Sequence, residues 1–146
     1  MTLKINPGEK IALCGPSGTG KSPLIMTLLQ MTEIRSGHVS IDSRNLTLVQ
    51  PSEIRLRLNV ISQDPYFVPD TIRFNLNPHV VASDDEIISA VKKVGLGLWE
   101  KVQLNGGLDG ELDASQWSMG EMHLLALARA LTSRSPILIL DEATSK

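Results

Sequence analysis

A glycine-rich segment of eight residues restricts the possible folds of this chain more than any other feature. It consists of Gly15, Pro16, Ser17, Gly18, Thr19, Gly20, Lys21 and Ser22. A compact apolar run at residues 10–14 precedes it, and apolar residues recur with helical spacing over residues 24–29. A strand, a glycine-rich loop and a helix in this order fit the pattern G-x-x-x-x-G-K-[ST] of a phosphate-binding loop.

The residue types of this loop suit a nucleoside triphosphate. Glycines let the backbone curl so that successive N–H groups point at phosphate oxygens, and the helix that follows adds the positive end of its dipole. Lys21 can reach the outer phosphates, and the Ser22 hydroxyl can bind Mg²⁺. Pro23 is unusual because it offers no backbone N–H to the ligand. The alternative is a glycine-rich turn without a ligand, which the flanking strand and helix make less favourable.

Two carboxylates follow an apolar run near the end of the chain. Asp141 and Glu142 come directly after residues 137–140, which predict a buried strand of a parallel sheet, covered on both faces. Ligands bind at the carboxyl ends of strands in such sheets. Asp141 therefore suits a Mg²⁺ ligand, and Glu142 suits a general base that deprotonates the attacking water. Taken alone, the pair could also be a solvated strand end.

Composition excludes several other classes of protein. The chain has 146 residues, enough for one domain, and its net charge of −2 with scattered basic residues argues against nucleic-acid binding. Cys14 is the only cysteine, so no internal disulfide can form. No apolar stretch is long enough to span a bilayer, and the chain by itself is expected to be soluble. His38, His79 and His123 lack metal-ligand spacing and are expected on surfaces or helix faces.

The remaining patterns predict an α/β fold. Strands are expected at residues 3–5, 10–14, 39–41, 56–61 and 137–140. Two S-x-x-E patterns, which begin at Ser83 and Ser118, are capping boxes that predict helices. Prolines interrupt regular structure between the strand at 56–61 and the capping box that begins at Ser83. We expect a core of about residues 1–63 and 132–146, with a helical subdomain at about 64–131.

The order of several motifs resembles one family. Residues 117–121 read Trp-Ser-Met-Gly-Glu, precede an Ala/Leu/Arg-rich helix, and are followed by a strand that ends in Asp-Glu-Ala-Thr-Ser. This block is similar to the signature-to-Walker-B region of ABC ATPases, and we call residues 117–121 the signature segment. Gln63 resembles the Q-loop glutamine of that family. Residues 63–76 are similar to the second nucleotide-binding domain of multidrug-resistance-protein-type exporters, particularly fungal ones.

The resemblance implies a P-loop NTPase core with a mainly parallel sheet, which is incomplete here because the family's domain extends beyond both ends of this sequence. It implies ATP and Mg²⁺ as cofactors. Gln63 would contact the metal and the γ-phosphate and relay their presence to a transmembrane domain. Ser118 and Gly120 would contact ATP held by a second ABC domain in a head-to-tail sandwich. Glu121 stands where the family more often has glutamine, beside that second nucleotide.

The function implied by the resemblance is ATP hydrolysis coupled to solute export, on the cytoplasmic side of a membrane. Lys21, Gln63 and Glu142 would then be the catalytic residues, and Ser22, Gln63 and Asp141 the metal ligands. The alternative is a nucleotide-binding or interaction module without turnover. Measuring ATP hydrolysis beside ATP binding separates the two hypotheses.

Overall fold

The computed structural model describes residues 2–16 and 18–141. The helices are α1 Lys21–Leu28, α2 Pro51–Arg57, α3 Ile72–Leu76, α4 Asp84–Val94, α5 Leu98–Leu104 and α6 Met119–Thr132. The strands are β1 Ser40–Ile41, β2 Arg44–Asn45, β3 Leu58–Ile61 and β4 Ile137–Leu140, and short 3₁₀ helices cover Leu46–Leu48, Gly107–Asp109 and Ala114–Gln116. The chain forms two compact units, Met1–Leu48 and Val49–Lys146.

The first unit contains α1 and a small hairpin. Strands β1 and β2 pair antiparallel, with Ser40 opposite Asn45 and Ile41 opposite Arg44. The two residues between them, Asp42 and Ser43, both have positive φ values of 49° and 63°. Two left-handed residues in succession give a backbone twist that matches a two-residue hairpin. The strand expected at residues 39–41 is therefore confirmed in its last two residues.

The strands expected at residues 3–5 and 10–14 are wrong. Residues 2–16 contain neither helix nor strand, and their backbone turns at Pro7 and Gly8, where the Glu9 N–H donates to the Asn6 carbonyl at 3.2 Å. Ile11 and Leu13 are 45% and 49% exposed. An apolar run forms a strand only when a neighbouring strand accepts its backbone hydrogen bonds. No described strand pairs with this run.

The second unit has its core around α6. This helix packs against α3, α4 and β3, and α5 packs against α4. The largest fully buried side chains of this core are Ile72, Leu76, Ile87, Val91, Val102 and Leu125. Both predicted capping boxes are confirmed: Ser83 is the N-cap of α4 and Ser118 is the N-cap of α6, each with a glutamate three residues later. No helix in the described part of the chain combines the length and the apolarity that crossing a bilayer requires.

The two strands of this unit lie side by side and parallel. Leu58 is opposite Ile137 and Ile61 is opposite Leu140, so the predicted strand at 137–140 is confirmed. Strand β3 is two residues shorter at its start than expected, because α2 extends to Arg57. A parallel pair joined through helices confirms the α/β class.

Burial of β4 differs from the expectation. Ile137 and Ile139 are half-buried, whereas Leu138 and Leu140 are 52% and 58% exposed. Successive side chains of a strand point to opposite faces of the sheet. One face of β4 is therefore partly covered and the other is open, so the prediction of cover on both faces is wrong.

A buried asparagine holds the proline-containing segment before α3. The Asn75 side chain is donor to the carbonyls of Val68 at 3.0 Å and Thr71 at 3.0 Å, and it accepts from the Val68 N–H at 2.9 Å. Asn75 is only 3% exposed. Since buried polar backbone groups must be hydrogen-bonded, this one side chain satisfies groups that the irregular segment leaves without helix or strand partners.

Replacing Asn75 with alanine should destabilise the second unit by roughly 2–4 kcal/mol, because several buried backbone groups lose their partners. Asn59→Ala is the matched control, since Asn59 donates one bond, to the Ala130 carbonyl at 3.2 Å; its cost should be about 1 kcal/mol. Urea unfolding followed by tryptophan fluorescence measures both. Equal costs for the two variants would contradict this account of the segment.

Candidate functional site

The glycine-rich loop owes its shape to two residues in the left-handed region. Gly18 has φ of 83° and Gly20 has φ of 95°, a conformation that side chains with a Cβ rarely adopt. Gly20 is also the N-cap of α1, and it gives that helix no side-chain cap. The described residues therefore offer no side-chain acceptor to the first N–H groups of the helix, and an anion could take that place. Ser17 lies outside the described residues.

Lys21 folds back over the loop that precedes it. Its ammonium donates to the carbonyls of Gly15 at 2.6 Å and Pro16 at 3.0 Å. The Thr19 hydroxyl donates to the same Pro16 carbonyl at 2.8 Å. These local bonds close the loop on itself, and α1 contributes no buried residue to support it. The loop is therefore organised by its own backbone and by Lys21 rather than by packing.

The first turn of α1 has fewer donors than its length suggests. Lys21, Ser22 and Pro23 are its first three residues, and the Leu24 N–H already donates to the Gly20 carbonyl at 3.1 Å. Proline has no N–H. Lys21 and Ser22 are thus the two residues of this turn whose N–H groups could donate to an external anion.

The parallel strands bring two of the predicted site residues to one edge. The Asp141 N–H donates to the Ile61 carbonyl at 2.9 Å, which continues the pairing of β3 and β4 by one residue. Gln63 follows β3 at the same edge and is exposed. Both residues therefore lie at the carboxyl end of the sheet, where ligands bind in open α/β folds. Glu142 lies outside the described residues.

His123 connects the Gln63 segment to α6. Its Nε2 lies 2.8 Å from the Gln63 carbonyl oxygen, and its Nδ1 lies 2.7 Å from the Met119 carbonyl oxygen. The sequence predicted only a surface or helix-face position for this histidine. The contact with Met119 follows from helical spacing, but the one with Gln63 joins residues that are 60 positions apart. No sequence pattern indicates that second contact.

The signature segment is held by a complete capping box. One carboxylate oxygen of Glu121, Oε2, accepts from the Ser118 N–H at 2.8 Å and from the Ser118 hydroxyl at 2.9 Å. The Glu121 N–H donates to the Ser118 hydroxyl at 3.3 Å. Nothing lies within 4 Å of the position that a Cβ of Gly120 would take. Ser118 and Gly120 are both exposed, so another molecule can approach this helix end.

A lysine that sequence reasoning missed completes this arrangement. The Lys101 ammonium lies 2.7 Å from the same Glu121 oxygen and 4.8 Å from the centroid of the Trp117 ring. Together with the Ser118 bonds, it lowers the pKa of Glu121 from 4.5 to about 2, with Lys101 as the largest cause. Lys101 is in α5, twenty residues before Glu121, so no helix or strand spacing predicts the pair.

Comparison with known proteins identifies the family. A family model described as ABC transporter matches residues 1–145. The chain belongs to the ABC transporter family. The resemblance of its ordered motifs is thereby confirmed.

Curated relatives of this ABC chain are fungal and animal proteins. ABC transporter ecdL of Aspergillus rugulosus is 43% identical over 145 residues, which are 99% of this chain and 10% of the relative. ABC multidrug transporter B of Aspergillus fumigatus is 41% identical over 145 residues, with the same two coverages. The oligomycin resistance ATP-dependent permease of Saccharomyces cerevisiae is 36% identical over 165 residues, 99% of this chain and 11% of the permease. The chain thus spans about a tenth of the length of these relatives.

A solved structure supports the fold. A bacterial Atm1-family ABC exporter with ATP bound has a TM-score of 0.77 and 31% sequence identity to this ABC chain. The match covers 89% of this chain and 23% of the exporter chain. The described elements therefore belong to the P-loop NTPase fold of ABC exporters.

The lowered pKa of Glu121 makes the stability of the second unit depend on pH. Because the folded pKa lies below the unfolded value, ionised Glu121 contributes fully to the free energy of unfolding above about pH 5. This contribution is lost as pH falls from 4.5 towards about 2. Glu121→Gln should lower the free energy of unfolding by about 1 kcal/mol at pH 7, with the difference from the parent vanishing near pH 2.

Glu86→Gln is the matched control for this prediction. Glu86 occupies the same place in the Ser83 capping box, but its nearest cation is an Arg134 nitrogen at 3.5 Å. The effect of Glu86→Gln on the free energy of unfolding should depend less on pH, because Glu86 has no cation as close as Lys101 is to Glu121. Urea unfolding of both variants between pH 7 and 3 is the measurement. A Glu121→Gln difference that stays constant over this range would contradict the prediction.

Proposed function

We propose that this chain is an ATP-binding domain of an ABC exporter and that it couples ATP binding and hydrolysis to solute export. The observation that carries the proposal is the open start of α1. Gly20 provides no side-chain cap there, and the Lys21 ammonium is held over the loop by the Gly15 and Pro16 carbonyls. A positive helix end beside a fixed cation is the arrangement that phosphate groups require.

The phosphate-binding loop would hold the nucleotide that this chain binds itself. Its backbone N–H groups and the Lys21 ammonium would contact the phosphates, and the relevant residues are Gly15, Pro16, Ser17, Gly18, Thr19, Gly20, Lys21, Ser22 and Pro23. Lys21 would also stabilise the negative charge that develops during phosphoryl transfer.

Three oxygen donors suit the Mg²⁺ that accompanies ATP. They are the Ser22 hydroxyl, the Gln63 amide oxygen and the Asp141 carboxylate, which are the hard ligands that Mg²⁺ prefers. The continued pairing of Asp141 with Ile61 supports two members of this set, because it brings Asp141 and Gln63 to one sheet edge. When bound, Mg²⁺ would neutralise phosphate charge. Glu142 would deprotonate the attacking water.

The signature segment would contact the ATP of a second ABC domain. Ser118, Gly120 and Glu121 are the residues assigned to this contact, and Ser118 and Gly120 are exposed at the start of α6. Gln63 would report the bound nucleotide to transmembrane domains on the cytoplasmic side of the membrane. Its contact with His123 supports this role, since it links the Gln63 backbone to the helix of the signature segment.

The proposed division of the domain follows from these roles. A core of about residues 1–63 and 132–146 would carry the nucleotide and metal contacts. A helical subdomain of about residues 64–131 would carry the signature segment. The packing of α3 and α4 against α6, and of α5 against α4, supports its treatment as one body.

Removing the Lys21 charge tests the nucleotide site. Lys21→Ala should weaken Mg-ATP binding roughly ten- to a hundredfold, because charge-assisted contacts to phosphate are lost. The exposed Lys10 provides the control, and Lys10→Ala should bind ATP like the parent. Isothermal calorimetry in matched buffer measures each affinity. Equal affinity of Lys21→Ala and the parent would show the site assignment to be mistaken. ATP binding without hydrolysis would favour the module without turnover.

Pro23 should limit the affinity of the same site. It is the third residue of α1, where an N–H would otherwise be available to a phosphate. Pro23→Ser restores that donor and should tighten Mg-ATP binding roughly tenfold, with a smaller gain for AMP, which lacks the outer phosphates. If proline serves only to start the helix, the substitution lowers stability and leaves the ATP affinity unchanged. Calorimetry with both nucleotides and a thermal melt distinguish these results.

A further inference from the structure

The signature segment carries a negative charge at a place where a phosphate would dock. Glu121 lies in the first turn of α6, three residues after Ser118, and its carboxylate bonds to both the N–H and the hydroxyl of Ser118. A carboxylate and a triphosphate repel each other strongly in a partly desolvated interface. Unless the charge of Glu121 is neutralised, this repulsion would weaken the proposed ATP sandwich.

Lys101 supplies a compensating charge from a different helix. Its ammonium lies 2.7 Å from Glu121 Oε2, and the two side chains are 31% and 29% exposed. The Trp117 ring, which is 6% exposed, lies beneath the ammonium at 4.8 Å. A cation over an aromatic face and beside a carboxylate is restrained by two attractions at once. The pair therefore has no net charge, and its positive member is fixed.

We infer that Lys101 is a positioning residue of the signature segment, one that neutralises Glu121 and thereby allows the triphosphate of a second ATP-bound copy to dock at Ser118 and Gly120. The inference rests on the proposed function. It goes further by assigning a role to a residue outside the signature segment and by naming the charge balance on which the contact depends.

A purely structural role is the competing explanation. In that case Lys101 would only join α5 to α6, and its loss would weaken the fold without any dependence on the charge of Glu121. The two explanations differ for the double variant, in which neutral residues replace both Lys101 and Glu121. Charge compensation predicts that removing both charges restores the neutral surface, whereas a structural link stays broken.

The experiment is sedimentation of the chain with Mg²⁺ and a non-hydrolysable ATP analogue, which measures nucleotide-dependent self-association. Lys101→Met should weaken association about tenfold, because a bare carboxylate then faces the phosphate. Glu121→Gln should strengthen it by a similar factor, and the double variant should return to within about threefold of the parent. Lys101→Arg, which keeps the cation, should associate like the parent. Added salt should reduce the deficit of Lys101→Met.

Lys92→Met is the matched control, since the Lys92 ammonium also lies over a tryptophan, 5.9 Å from the Trp99 centroid, on another helix of the same unit. It should not change association. A double variant as weak as Lys101→Met would overturn the inference, as would unchanged association of Lys101→Met or the absence of nucleotide-dependent association in every variant. Calorimetry of the same samples separates failure of this inference from failure of the proposed function. If the parent binds ATP, the proposed function stands whatever the association results; if it does not, the proposed function and the inference both fail.

Discussion

Burial of one face of α6 is the interaction on which the second unit depends. Leu125 and Ala128 are fully buried, and the helix packs against α4 and α3. At the other end, the Thr132 hydroxyl donates to the Leu76 carbonyl at 2.6 Å and ties the helix to α3. The start of α6 carries the signature segment and its end leads to β4 and Asp141. Packing of this one helix therefore positions two of the proposed contacts.

The first turn of α6 shows why a structural and a functional role can belong to the same residues. A helix start needs acceptors for its N–H groups, and the Ser118–Glu121 box supplies them within the chain. A phosphate would use the same positive helix end. The box thus stabilises the helix in the absence of a partner. In the proposed contact, Lys101 would neutralise the carboxylate that a docking phosphate meets there.

Local patterns in the sequence predicted local structure, and contacts between distant residues had no such signal. The capping boxes at Ser83 and Ser118 were predictable because each depends on residues within a few positions. The apolar run at residues 137–140 forms the expected strand because β3 pairs with it. The Lys101–Glu121 pair was not predictable, since it depends on how α5 meets α6. The strands expected at residues 3–5 and 10–14 failed for a related reason: an apolar run does not identify the strand that must pair with it.

The two proposed nucleotide contacts are organised by different physics. Packing fixes the signature segment, whereas α1 has no buried residue and its loop is held by the bonds of Lys21. An ammonium has three donors, and the carbonyls of Gly15 and Pro16 take two of them. In the proposed site, the third would contact a phosphate while the other two keep the loop closed. Lys21 would then both organise the loop and bind the ligand, so that less of the binding energy is spent on ordering the site.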